Sequence, residues 1–119
     1  MKKVEAIIKP EKLQETLNSL IGVDVWGVTV TMVRGCGRQK GYLTGNYLSK
    51  EKPVQTLPFV KLEFVVKDEV VETLIDVIRK VNSTGEVGKG NGKIFVYPVL
   101  DAVRISTGER GEDAIGGPK

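Results

Sequence analysis

The chain has 119 residues, 40% of them hydrophobic and 28% charged, with a net charge of +3. That suffices for one domain with its own core, and so mild a basic excess does not decide between an anionic small ligand and nucleic acid. With no histidine and a single cysteine, Cys36, the composition excludes an internal disulfide and a multi-cysteine zinc site, and it removes the commonest general base.

In chain order, residues 2–9 alternate, with Val4, Ala6 and Ile8 on one face, which predicts a half-buried strand. Pro10 suits the first turn of a helix, and Leu13, Leu17, Leu20 and Ile21 form its apolar stripe. Gly22 then stops it. Residues 25–34 alternate again, Val28, Val30 and Met32 opposing Thr29, Thr31 and Val33. From 35 to 58 the pattern dissolves, and residues 37–58 read as a protruding, mobile loop, of a length usually kept for function. Alternation returns over 59–66. Asp68 is placed as an N-cap for a helix whose stripe is Val70, Leu74, Val77, Ile78 and Val81, with Arg79 and Lys80 in the last turn. A glycine-rich loop, 84–93, leads into a strand over 93–99 and a short extended piece to Ser106; residues 107–119 read as a flexible tail. The expected plan is α+β: a ferredoxin-like βαββαβ domain over 1–106, with both helices on one face of an antiparallel sheet. The other face also carries apolar residues (Ile7, Val33, Val65), and such a face is commonly buried by oligomerisation. No apolar run approaches a membrane span and no signal-peptide pattern is present, so the chain is expected in the cytoplasm without inserting into the membrane.

Two glycine-rich basic stretches could carry chemistry. Residues 84–95 hold Gly85, Gly88, Gly90 and Gly92 with Lys89 and Lys93 among them. Exposed N–H groups there would form a concave anion site, with lysine as a point charge. Alone, the segment reads more readily as a turn closed by Asn91-Gly92 before a strand. Residues 35–41, Gly-Cys-Gly-Arg-Gln-Lys-Gly, repeat the theme at the end of a strand, with Arg38 able to fork onto phosphate oxygens and Gln39 offering a neutral oxygen. Arg104, in 104–109, is a third basic element. In a ferredoxin-like fold both glycine-rich stretches can lie at the same end of the sheet. No carboxylate pair is placed for acid–base work.

At these residues the chain resembles the PII signal-transduction family over nearly its whole length. The resemblance rests on Lys9-Pro-Glu-Lys-Leu13, Gly27-Val-Thr-Val-Thr31, the 35–41 motif, Leu57-Pro58, Gly92-Lys-Ile-Phe-Val96 and Arg104-Ile-Ser-Thr-Gly-Glu109. It implies a non-catalytic regulator: a compact homotrimer that binds ATP or ADP in clefts between subunits. Its long loop, the T-loop (37–58), would dock on a target enzyme or a membrane transporter, an ammonium channel or a different one, which would recruit it to the inner membrane face. By resemblance, the phosphates fall to Gly37, Arg38 and the loop with Lys93 (the B-loop, 84–93), and Arg104 reaches in from the adjoining subunit. Thr29, Glu63 and Val65 match positions near the adenosine. The nucleotide site so implied also takes in Gly35, Cys36, Gln39, Gly88, Lys89, Gly90, Asn91, Gly92 and Ser106. Magnesium would come only with ATP, through Gln39 rather than a protein ligand set. Phe59 stands where 2-oxoglutarate-binding members have lysine, which leaves a 2-oxoglutarate response undecided. Ser106 replaces a second arginine and removes a phosphate contact.

Two other functions fit parts of the sequence. A ferredoxin-like sheet can stack nucleic-acid bases on aromatics, and Lys93-Ile-Phe-Val-Tyr97 faintly imitates such a strand. Against this, the third strand lacks the aromatic pattern and the net charge is small, so no nucleic acid is expected. A phosphoryl-transfer enzyme would need a nucleophile activator that the sequence does not evidently place.

Overall fold

The computed structural model describes residues 1–36, 55–83 and 92–117. Four strands, β1 (Lys2–Ile8), β2 (Thr29–Gly35), β3 (Leu57–Val66) and β4 (Lys93–Pro98), form one sheet in the order β2-β3-β1-β4, every neighbouring pair antiparallel. Two helices, α1 (Leu13–Ser19) and α2 (Val71–Asn82), each follow a single 3-10 turn, Pro10–Lys12 and Asp68–Val70. A short helix, α3 (Glu112–Ile115), lies near the C-terminus. The order and pairing are those of a ferredoxin-like α+β domain, as the alternation predicts.

Period-two alternation decides which face is dry. Val4, Ala6 and Ile8 of β1 and Val60, Leu62, Phe64 and Val66 of β3 are buried beneath α2, which contributes Val71, Leu74 and Ile78. Emptying such a position, as in Leu74→Ala, costs about 2–5 kcal/mol. The helices are further joined by a polar pair. Asn82 donates from Nδ2 to Thr16 Oγ1 at 3.0 Å and to the Ile78 carbonyl at 2.9 Å, while Thr16 donates to the Lys12 carbonyl at 2.7 Å. Thr16 is fully buried and Asn82 nearly so. Buried polar groups must be paired in this way or cost the core its stability.

Four local expectations are corrected. Asp68 makes no N-cap bond; its carboxylate is taken by the Met1 ammonium at 3.0 Å and Lys2 Nζ at 3.1 Å, stronger partners than a backbone N–H. Ile21 is not part of a buried stripe: α1 stops at Ser19, and Ile21 is 86% exposed. β2 begins at Thr29 rather than at residue 25, because Val23–Val25 close a tight turn (Val25 N–H to Val23 carbonyl, 2.7 Å). Gly22 is not the residue that stops α1: the C-cap is Leu20 in right-handed geometry, and Gly22 takes φ +91° in the following turn, which the Val23 N–H closes onto the Leu20 carbonyl at 3.0 Å.

Beyond residue 106 the chain makes a small hairpin. Val103 bridges Arg110, Gly108 N–H bonds the Arg104 carbonyl at 2.7 Å, and Gly111 N–H bonds the Ala102 carbonyl at 3.0 Å. Asp101 ties it down, receiving Arg110 Nη1 at 2.6 Å and the Ala102 N–H at 2.8 Å. α3 then lies alongside β3, and Gly117 packs against the indole of Trp26.

Candidate functional site

Cross-strand register places the sequence-predicted residues on the helix-free face. Thr29 faces Glu63, Glu63 faces Glu5, and Glu5 faces Phe95, making one row across the four strands. The next row is Thr31, Lys61, Ile7 and Lys93. Residues paired across strands share a face, so Lys93 stands with Ile7 and Lys61. Val65 lies one row beyond Glu63, opposite Lys3.

This face carries charged residues among apolar ones, and the charges are already organised. Lys3 Nζ lies 3.4 Å from Glu63 Oε2 and 3.8 Å from Glu5 Oε1, and Lys61 Nζ lies 4.0 Å from Glu63 Oε1. Tyr97 donates to Glu5 Oε2 at 3.4 Å, and the Lys3 ammonium sits 4.5 Å from the Tyr97 ring centroid. Each pair is half-exposed and worth about 1 kcal/mol or less. Together they hold the Glu63 carboxylate between two cations. Lys3, Glu5, Lys61 and Tyr97 are the members that sequence reasoning did not single out. The signal was present, as odd-numbered charged residues opposite an even-numbered apolar face.

Along the strands the residues stand at different heights. Gly35 closes β2 opposite Leu57, with Cys36 exposed beyond it, and Gly92 and Lys93 open β4; these are the bases of both glycine-rich loops. The expectation that the two loops rise from one end of the sheet agrees with this register. Thr29 and Glu63 lie six residues along β2 from Gly35, a rise of about 20 Å, with Val65 one row further, but Lys93 is only one row from Thr29 and Glu63. Gly37, Arg38, Gln39, Gly88, Lys89, Gly90 and Asn91 lie outside the described residues.

Gly92 has φ +100°, and a Cβ there would strike the Ile7 carbonyl. Only glycine allows the chain to cross β1 so closely. Phe59 lays its ring on Gly35, 3.7 Å from where a Cβ would stand. Arg104 is not free: Nε lies 3.3 Å from Glu109 Oε1 without the alignment of a hydrogen bond, and Nη2 reaches the Asp113 and Gly116 carbonyls at 3.3 and 3.5 Å. Ser106 is exposed two residues on.

A cavity of about 390 Å³ lies elsewhere, between α2 and the sheet. It shares Gly92 and Lys93 with the face just described, but Ile8, Ile75, Ile78, Asn82 and Ile94 make its walls. Among the described residues no group of three or more cysteines, aspartates or glutamates is placed to hold a metal ion, and no helix is long and apolar enough to cross a membrane.

Residues 1–109 match the family model described as nitrogen regulatory protein P-II. Similar proteins of that name include those of Rhodospirillum rubrum, 50% identical, and Pasteurella multocida, 53% identical, each over 115 residues that cover 97% of this chain and the whole of the relative. Nitrogen regulatory protein P-II 1 of Escherichia coli is 48% identical over the same span.

Proposed function

The chain belongs to the nitrogen regulatory protein P-II family, and from that membership we propose that this signal-transduction regulator binds ATP or ADP in clefts between copies of itself. One observation supports the reading above the others: the expected site residues do not come together within one chain. On the helix-free face Gly35 lies about 20 Å along the strands from Thr29 and Glu63, and Lys93, in the row next to theirs, stands on the opposite edge strand from Gly35. On this reading a second copy supplies what one chain leaves apart. Gly35 and Gly92–Lys93 would bring backbone N–H groups and a cation to the phosphates. Arg104 of a neighbouring copy would add a guanidinium fork.

Apolar side chains at opposite sheet edges support self-association into a closed ring. Val28, Val30 and Met32 are exposed at the β2 edge, and Phe95, Val96 and Tyr97 at the β4 edge. Joining unlike edges head to tail closes a ring when the rotation allows it, and three copies is the expected number. The 37–58 loop would carry the signal to a target enzyme or a transporter. A nucleotide biases that loop only by binding one of its states better than the other. Phe59 occupies the lysine position with its ring on Gly35, so 2-oxoglutarate should add little to Mg-ATP binding.

Titration calorimetry of the full chain with ATP, ADP and 2-oxoglutarate, separately and together, tests this. Each nucleotide should bind, and Lys93→Ala should weaken it about tenfold or more, the loss of one charge-assisted contact. No heat and no thermal stabilisation at millimolar nucleotide would sink the reading. Retention of single-stranded RNA in place of nucleotide binding would favour the nucleic-acid alternative.

A further inference from the structure

Arg104, the cation assigned above to the neighbour's phosphates, is held by the chain's own C-terminal segment. Its Nη2 donates to the Asp113 and Gly116 carbonyls at 3.3 and 3.5 Å, at either end of α3. Its Nε lies 3.3 Å from Glu109 Oε1, an oxygen that also accepts from Thr107 Oγ1 at 2.8 Å. The same segment lies alongside β3, the strand of Glu63 and Val65, and ends with Gly117 against Trp26, three residues before Thr29. One short stretch thus engages the guanidinium and flanks the residues expected near the adenosine at once.

The energetics favour release by a phosphate. The guanidinium has five donors in a planar fork that suits paired anionic oxygens. Here it has two long bonds to neutral carbonyls and one misaligned carboxylate. A phosphate would replace these with shorter, charge-assisted bonds.

We propose that residues 112–117 are a latch on Arg104 that nucleotide must displace, so that the C-terminal segment sets the apparent nucleotide affinity. This rests on the nucleotide reading above. A latch closed about four-fifths of the time lowers apparent affinity about fivefold, because only the open fraction binds.

The contact with Trp26 supplies both the perturbation and the reporter, since Trp26 is the only tryptophan in the chain. A Cβ at Gly117 would stand 2.9 Å from the indole ring, so Gly117→Val should drive the segment off it. At Gly116 a Cβ would meet nothing nearer than 3.6 Å, so Gly116→Ala is the control. With the full chain, calorimetry with ADP and Mg-ATP is paired with Trp26 fluorescence. Gly117→Val should begin with red-shifted emission and bind nucleotide about fivefold more tightly. Wild type and Gly116→Ala should reach the red-shifted emission only as nucleotide is added. Shifted emission with unchanged or weaker affinity would overturn the latch while leaving nucleotide binding intact. Unshifted emission in Gly117→Val would overturn it too, because Gly117 would then not abut Trp26. Absence of binding in all three chains would sink the nucleotide reading itself.

Discussion

An alanine at Gly92 would place its Cβ on the carbonyl oxygen of Ile7 and 2.9 Å from the carbonyl carbon. Two costs follow. Holding an L-residue at φ +100° costs about 1–2 kcal/mol. Relieving the overlap parts β1 from β4 at the Ile7–Lys93 rung, the last of the ladder, where each lost backbone hydrogen bond costs about 1 kcal/mol. The sum is about 3 kcal/mol, a large share of the total stability of a small domain. A chain of this size should lose about 4 °C in Tm per kcal/mol, hence about 12 °C. Urea and thermal unfolding of Gly92→Ala should be compared with Gly27→Ala, where a Cβ meets nothing within 4 Å and the change should stay within about 0.5 kcal/mol. All chains must be at one protein concentration, because self-association adds to apparent stability. If the two alanine variants unfold within about 0.5 kcal/mol of each other, the crossing of β1 at Gly92 is not what fixes this glycine.

Two further outcomes follow from the polar contacts. Arg110 beside Asp101, with the Ala102 and Gly111 N–H groups, holds the Asp101 carboxyl below its ordinary value of 3.8. Its folded pKa is thus lower than its unfolded one, so its stabilisation is complete above the ordinary value and is lost as pH falls through the folded value. Tm measured across the acid range should fall less steeply for Asp101→Asn than for wild type, and parallel curves would refute the assignment. In the buried helix pair, Asn82→Ala and Thr16→Val should each destabilise by about 1–3 kcal/mol. A double-mutant cycle should return a coupling of about 1 kcal/mol, whereas strict additivity would mean that the 3.0 Å bond contributes nothing.

What could be read from the sequence was what periodicity encodes. The alternation of β1 and β3 and the α2 stripe are set by the face each residue must bury, and the structure agrees at Val4, Ala6, Ile8, Leu62, Phe64, Leu74 and Ile78. Competition between partners was harder to read. Asp68 has the residue type of a cap, but the Met1 ammonium and Lys2 reach it first. Asn82 falls in register with Val71, Leu74 and Ile78, a place the apolar stripe of the sequence passed over, because a polar residue there becomes intelligible only with Thr16 opposite it, 66 residues away. The site was legible as motifs but not as a network. Gly35 and Gly92–Lys93 announce themselves by glycine and lysine, whereas the ties of Lys3 and Lys61 to Glu63 depend on strand order and register. The Arg104 contacts were hidden for the same reason: two of them are backbone carbonyls, which carry no side-chain signature.

The strand order has a kinetic side. β1 and β2 are the first strands of the chain, but they never pair with each other; β2 meets the sheet only through β3, and β1 pairs with β3 and then with β4, which ends near residue 98. On a ribosome neither early strand has a partner until β3 emerges, so the first third of the chain waits with only α1 able to form locally. Sheets closed by such distant pairings fold more slowly than helical proteins, because loop entropy is lost before contacts repay it. β3 is therefore the point from which the sheet must nucleate, and substitutions at Leu62 and Phe64 should slow folding where those at the β4 edge chiefly speed unfolding.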